Sequence, residues 1–162
     1  MSFSLRNITL FMIKITDNRS SCPLSTALEI IGDQWSLILI RNLFMQQTTF
    51  SEFREGPEKI STNILTDRLK RLKKFQIIDF VTHPNNKKVK MYFLKDAGID
   101  LYPMIYELSI WGKKYFEMEF HPIAIDWFKA AEGRDATELI AEISEEYKSF
   151  RDQFLQKQEV SL

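Results

Sequence analysis

A mainly α (α+β) fold with a single two-stranded β-hairpin is what this sequence predicts, and three observations predict it. A short capped helix opens at Thr49. A basic amphipathic helix follows from Ser61. Two alternating runs then flank a lysine-rich tip between Ile77 and Leu94. In that order they spell a winged helix-turn-helix, a fold that lays one helix in the major groove and a β-wing on the DNA backbone. Charge sits where this reading needs it. From Arg41 to Lys95 there are 12 basic residues against 5 acidic ones, a local balance of +7 in a chain whose net charge is zero.

The elements follow in order. Cys22-Pro23 opens the first helix, because proline suits the first helical position. Leu24, Ala27, Leu28 and Ile31 then share one face. Gly32-Asp33 breaks it. A second helix runs from about Gln34 to Met45, apolar on most sides, which predicts a buried centre. Thr49-Phe50-Ser51-Glu52 forms a capping box, in which hydroxyl and carboxylate each satisfy a free backbone N–H. Gly56-Pro57 ends that helix early. Ser61 caps the next one, which extends to about Phe75 on an inner stripe of Leu65, Leu69 and Leu72.

Strands are expected over Ile77–Thr82 and Val89–Leu94, with His83-Pro84-Asn85-Asn86-Lys87-Lys88 as the connecting tip. After Gly98, Leu101, Ile105, Leu108, Trp111, Tyr115 and Met118 recur at four- and three-residue spacing. They predict one long helix with a narrow seam for another helix, with Pro103 in its first turn or at a kink. The tail from Glu117 carries 11 acids against 5 bases, a balance of −6, and one amphipathic helix.

The division is therefore an N-terminal extension over 1–20, a winged-helix unit over 21–118 and an acidic helical extension over 119–162. No stretch reaches the ~20 apolar residues of a membrane span. One cysteine cannot form an internal disulfide. The apolar run Ile8–Ile15 is broken by Lys14 and lacks a cleavage signal, and Met12 offers a second start. A cytoplasmic protein is expected.

The predicted reading helix enters the groove by its N-terminal turns, bringing Ser61, Thr62, Asn63 and Thr66 to base edges. Asparagine can bond adenine in bidentate fashion, and hydroxyls discriminate less. Arg68, Lys70 and Lys74 are expected on phosphate, with Asp67 paired to Lys70 or Arg71. In the wing, Asn85, Asn86, Lys87, Lys88 and Lys90 are expected to grip the backbone and reach toward the minor groove. Double-stranded DNA is thus the expected partner. The bland reading, a solvated lysine face, suits one helix but not the ordered triple. A winged helix that binds only protein is the alternative.

Little else carries chemistry. Two histidines and one cysteine are too few for a structural zinc site, so neither metal nor cofactor is expected. No phosphate loop, nucleophile elbow or paired-carboxylate motif appears, which argues against an enzyme. Trp35, Trp111 and Trp127 are expected in the core, with room for a small apolar pocket among aromatics beside the long helix.

Cys22-Pro23-Leu24, Ile31-Gly32-Asp33-Gln34-Trp35, Phe50-Ser51-Glu52-Phe53, the string from Ile60 to Leu69, Leu94-Lys95-Asp96-Ala97-Gly98 and Trp111-Gly112 together resemble the HxlR-type transcriptional regulators. The likeness spans about Ser21 to Phe116, and Ile60–Leu69 is its most specific part. It implies a winged-helix homodimer on near-palindromic operators, with N- and C-terminal helices at the dimer contact. Both extensions fall outside it. Some members use a cysteine at the position of Cys22 to sense oxidants or electrophiles. A thiolate there would gain from the partial positive charge of the helix start. The alternative is an ordinary buried cysteine.

Overall fold

The computed structural model describes residues 13–16 and 19–159, so most of the N-terminal extension, including Met12, lies outside the described residues. Three local signals set the first half. α1 (Pro23–Ile31) starts at its proline. α2 (Gln34–Phe44) is capped by Asp33, whose Oδ1 accepts the amides of Trp35 (2.9 Å) and Ser36 (3.1 Å). The capping box opens α3 (Phe50–Glu55), with Glu52 Oε2 accepting the Thr49 amide at 2.8 Å. Ser61 Oγ accepts the Ile64 amide at the start of α4 (Thr62–Lys74).

α2 and α4 end alike. The Gln47 amide donates to Asn42 O and the Gln46 amide to Leu43 O; the Ile77 amide donates to Leu72 O and the Gln76 amide to Lys73 O. Gln46 (φ 61°) and Gln76 (φ 58°) hold the left-handed position that glycine usually takes in this closure.

β1 (Ile78–His83) and β2 (Asn86–Leu94) pair antiparallel, with Ile78 opposite Leu94 and Val81 opposite Met91. The register slips between Thr82 and His83. The turn is therefore only Pro84-Asn85, and Lys87 and Lys88 belong to a strand, not to the six-residue tip the sequence predicts. A short bridge between Thr49 and Met91, supported by the Tyr92 amide on Thr48 O (2.7 Å), ties the start of α3 to the wing.

The helix expected after Gly98 is present, unbroken and shorter than its seam. α5 (Asp96–Ile99) is one turn, and α6 (Tyr102–Tyr115) begins beyond it with Pro103 in its first turn. Met118 falls past the end of α6, so the seam is shorter than its spacing suggests. Its outer members Leu108, Trp111 and Tyr115 are exposed, and Trp111 is not a core residue. Gly98 is required where it stands: a Cβ there would meet the Ile77 carbonyl oxygen at 2.4 Å.

The tail forms two helices where one was expected, α7 (Pro122–Ala131) and α8 (Ala136–Glu159), separated by a bend with Gly133 at φ 72°. α8 joins the interior. Tyr147 packs in the same core as Leu39, Leu43, Leu65, Leu72, Ile78 and Leu94. Its hydroxyl accepts the Leu94 amide at 3.0 Å, and burial pushes the phenol up to about 12. A second cluster joins Tyr102 and Tyr106 to Ala131 and Leu139, with Trp127 half-buried against it. Among the described residues, no helix is long and apolar enough to cross a membrane, and no group of side chains could hold a metal ion.

Candidate nucleic-acid interface

α4 is built to show one face and hide the other. Leu65, Leu69 and Leu72 are buried. Ser61, Thr62 and Asn63 stand exposed at its capped start, and Lys70 and Lys74 are exposed further along. Thr66 is half-buried, and its hydroxyl donates to Thr62 O at 2.8 Å.

Arg68 is engaged within the protein. Its Nε lies 2.7 Å from Asp33 Oδ1 and its Nη1 2.5 Å from Asp67 Oδ2. Asp67 thus pairs with its immediate neighbour and not with Lys70 or Arg71. Arg71 instead donates to the Ile30 carbonyl at 3.0 Å, and Lys73 pairs with Asp79 at the wing's root. These contacts hold α4 to α1, to the start of α2 and to β1.

Partial burial alone would raise the Asp33 carboxyl. Hydrogen bonds from Ser36, Arg68 and the Trp35 amide, together with the Arg68 charge, outweigh it and hold the group below the usual value. The same balance keeps Asp79 low beside Lys73 and the Phe80 amide.

In the wing, Asn85, Asn86, Lys87, Lys88 and Lys90 are all exposed. His83 ends β1, its Nδ1 accepting the Asn85 amide of the turn at 3.2 Å, and Asn86 Oδ1 accepts the Lys88 amide at 3.1 Å. Lys90 Nζ lies 4.3 Å from the centre of the Phe80 ring, and Lys73 Nζ lies 4.9 Å from the same ring.

Sequence reasoning missed Phe80 in this role, and it missed Asp33 as a cap and ion-pair partner. An aspartate just ahead of Gln34-Trp35 is a local cap signal that was available. Nothing local announces its pairing with Arg68, 35 residues away.

Cys22 occupies the residue before α1 but makes no side-chain cap. It is a free, exposed thiol and not the buried cysteine of the alternative reading. Leu24 (64% exposed) and Leu28 (54%) on α1, with Trp111 (53%) and Tyr115 (59%) on α6, leave large apolar side chains uncovered.

Comparison with known proteins fits this geometry. The HTH-type transcriptional regulator YdeP of Bacillus subtilis strain 168 is 32% identical over 111 residues, covering 68% of this chain and 87% of YdeP. YodB of the same organism, also an HTH-type transcriptional regulator, is 27% identical over 97 residues, covering 59% of this chain and 87% of YodB. The crystal structure of PA1607 superposes with a TM-score of 0.58 at 32% identity, covering 64% of this chain and 73% of that one. The redox regulator HypR in its oxidised form superposes at 0.54 and 26% identity, covering 60% of this chain and all of HypR. The pattern of the HxlR-like helix-turn-helix family matches residues 30–120. With that match and the winged helix-turn-helix in place, the chain belongs to the HxlR-like helix-turn-helix family and is a transcriptional regulator.

Proposed function

We propose that this regulator binds operator DNA in a sequence-specific manner as a homodimer, with Ser61, Thr62, Asn63 and Thr66 at base edges and Lys70, Lys74, Lys87, Lys88 and Lys90 on phosphate. The observation that carries the reading is the capped, exposed start of α4, which offers an asparagine and two hydroxyls while its leucines are buried. Asn85 and Asn86 accompany the lysines in the wing. Arg68 acts from within, holding α4 against Asp33. A gel-shift titration on the DNA upstream of the chain's own gene tests this. Retarded, competitor-resistant bands are expected. No binding to any such fragment would favour a protein-interaction module instead.

The homodimer reading rests on the uncovered side chains of α1 and α6. Large apolar side chains left uncovered on two helices suit an interaction surface. Sedimentation should give a dimer, and Trp111→Glu should give a monomer with weakened operator binding. A second copy seated there is what near-palindromic half-sites require.

Cys22 is the proposed contact for an oxidant or electrophile. Its exposure supports this, as does the likeness to HypR, a redox regulator. Diamide should change operator binding by the wild type and leave Cys22→Ser unaffected. Equal sensitivity in the two proteins would remove Cys22 from the response.

A further inference from the structure

We infer that the helices beyond the winged-helix unit complete a binding site for a small, neutral, one- or two-ring aromatic molecule, and that its occupancy acts on the helix-turn-helix. A cavity of about 340 Å³ lies where α2, α6, α7 and α8 meet the turn between α3 and α4. That volume lies at the lower end of natural ligand sites. The cavity opens to solvent past Met45 and Ile123, which gives a ligand its way in. Phe44, Tyr102, Trp127 and Phe128 give it aromatic walls.

Two polar atoms fix the ligand class. Gln47 lines the cavity, and its Oε1 is buried with no hydrogen-bond partner among the described residues. That oxygen is closed off from the cavity as the chain stands; an unmet buried acceptor is costly, so a turn of the amide toward a donor in the cavity is favoured. Tyr102 is buried and its hydroxyl oxygen accepts the Trp127 Nε1 hydrogen at 3.1 Å, which leaves its own hydrogen free to donate. Three ionisable groups line the wall: Arg41 and Glu58 pair at 2.8 Å, and His121 lies beside Glu58, so no unpaired fixed charge faces the ligand while the imidazole is neutral. A neutral ring bearing an N–H or O–H suits this lining better than an anion or a cation.

The position of the cavity supplies the coupling. Gly56, Pro57 and Glu58 form both part of its wall and the turn that aims α4. The Arg41–Glu58 pair fastens that turn to α2. Lys59, next in the chain, holds φ 53°, a conformation that a shift of the turn would disturb. A ligand between α7 and this turn therefore biases the placement of α4 if it binds the two placements unequally. The regulatory half of the inference rests on the proposed DNA binding, whereas the site itself does not.

Indole and 1-methylindole, which differ by one donor, are the probes. Calorimetry on the full chain should give sub-millimolar binding of indole, weaker by about fivefold for 1-methylindole, the worth of one hydrogen bond. Gln47→Leu should erase that preference. Ala124→Trp, which fills the cavity from α7, should weaken indole at least tenfold in a protein whose melting shows it folded. No binding of indole by the wild type, or unchanged binding by a folded Ala124→Trp protein, would overturn the site. Indole should also shift operator affinity by about fivefold or more. Binding without such a shift would overturn the coupling. If no operator DNA binds at all, the DNA reading fails while the calorimetry still decides the cavity.

Discussion

Arg68 Nε lies 2.7 Å from Asp33 Oδ1, so one carboxylate both caps α2 and holds the middle of α4. Each side chain is about a quarter exposed, which places the pair between a screened surface contact and a desolvated one. A double-mutant cycle with Asp33→Asn and Arg68→Ala should show a coupling of about 1 kcal/mol in thermal or urea unfolding. Arg68→Ala should leave the slope of log K against log salt unchanged, because its guanidinium already faces carboxylates. A slope smaller by about 1 would instead assign it to phosphate.

The same carboxylate predicts acid sensitivity. Asp33, Glu52, Glu58 and Asp79 all lie below their ordinary values: partial burial pushes each up, and hydrogen bonds outweigh it, joined by a nearby cation at every one but Glu52. The unfolded chain therefore takes up protons before the folded one does, and stability rises with pH through that range. Their stabilisation should be complete above about pH 5 and fall away as pH drops below the ordinary carboxylate values of 3.8 and 4.5. Urea midpoints measured between pH 6 and 3 should fall in this way in the wild type and fall less steeply in Asp33→Asn, which keeps the other three carboxylates. A wild-type midpoint that stayed level across the range would contradict it.

Wing and helix should fail differently. Lys87→Ala with Lys88→Ala should reduce the salt slope by about 2 and weaken all DNA alike. Asn63→Ala should cost about 1–3 kcal/mol on the operator and little on unrelated DNA. Uniform weakening by Asn63→Ala would remove it from base reading.

Tyr147→Phe should destabilise the protein by about 1–3 kcal/mol, because the Leu94 amide loses its acceptor in a buried place. Hydrogen exchange at Leu94 should quicken in the variant. Unchanged exchange there would mean that the tyrosine contributes packing alone.

The parts of the fold that the sequence shows plainly are those written within a single turn of helix. Thr49 with Glu52, Ser61 with its leucine stripe, and Cys22-Pro23 each carry their signal within a few residues, and each element starts where it should. The ends of α2 and α4 are less legible, since Gln46 and Gln76 stand where a glycine would have marked the stop. The period from Leu101 to Met118 overstates α6 because the chain turns extended at Phe116 (φ −116°, ψ 124°), a stop that spacing alone does not reveal. The wing's lysines look like a loop until the register slip after Thr82 is known.

The candidate site divides the same way. Exposure of Ser61, Thr62 and Asn63 follows from the cap and the stripe. The occupation of Arg68 by Asp33 and the meeting of Gln47 with Tyr102 and Trp127 across one cavity depend on tertiary packing, which no local pattern encodes.

Phe80 has the last word on the wing. Two ammonium groups, one from α4 and one from β2, lean on its single ring. An uncharged side chain thus acts as a moorage for positive charge, steadying Lys90 and sharing Lys73 with Asp79 before any other anion arrives. Exchanging that ring for an aliphatic group would leave the formal charge untouched and yet redraw the electrostatic contour of the wing.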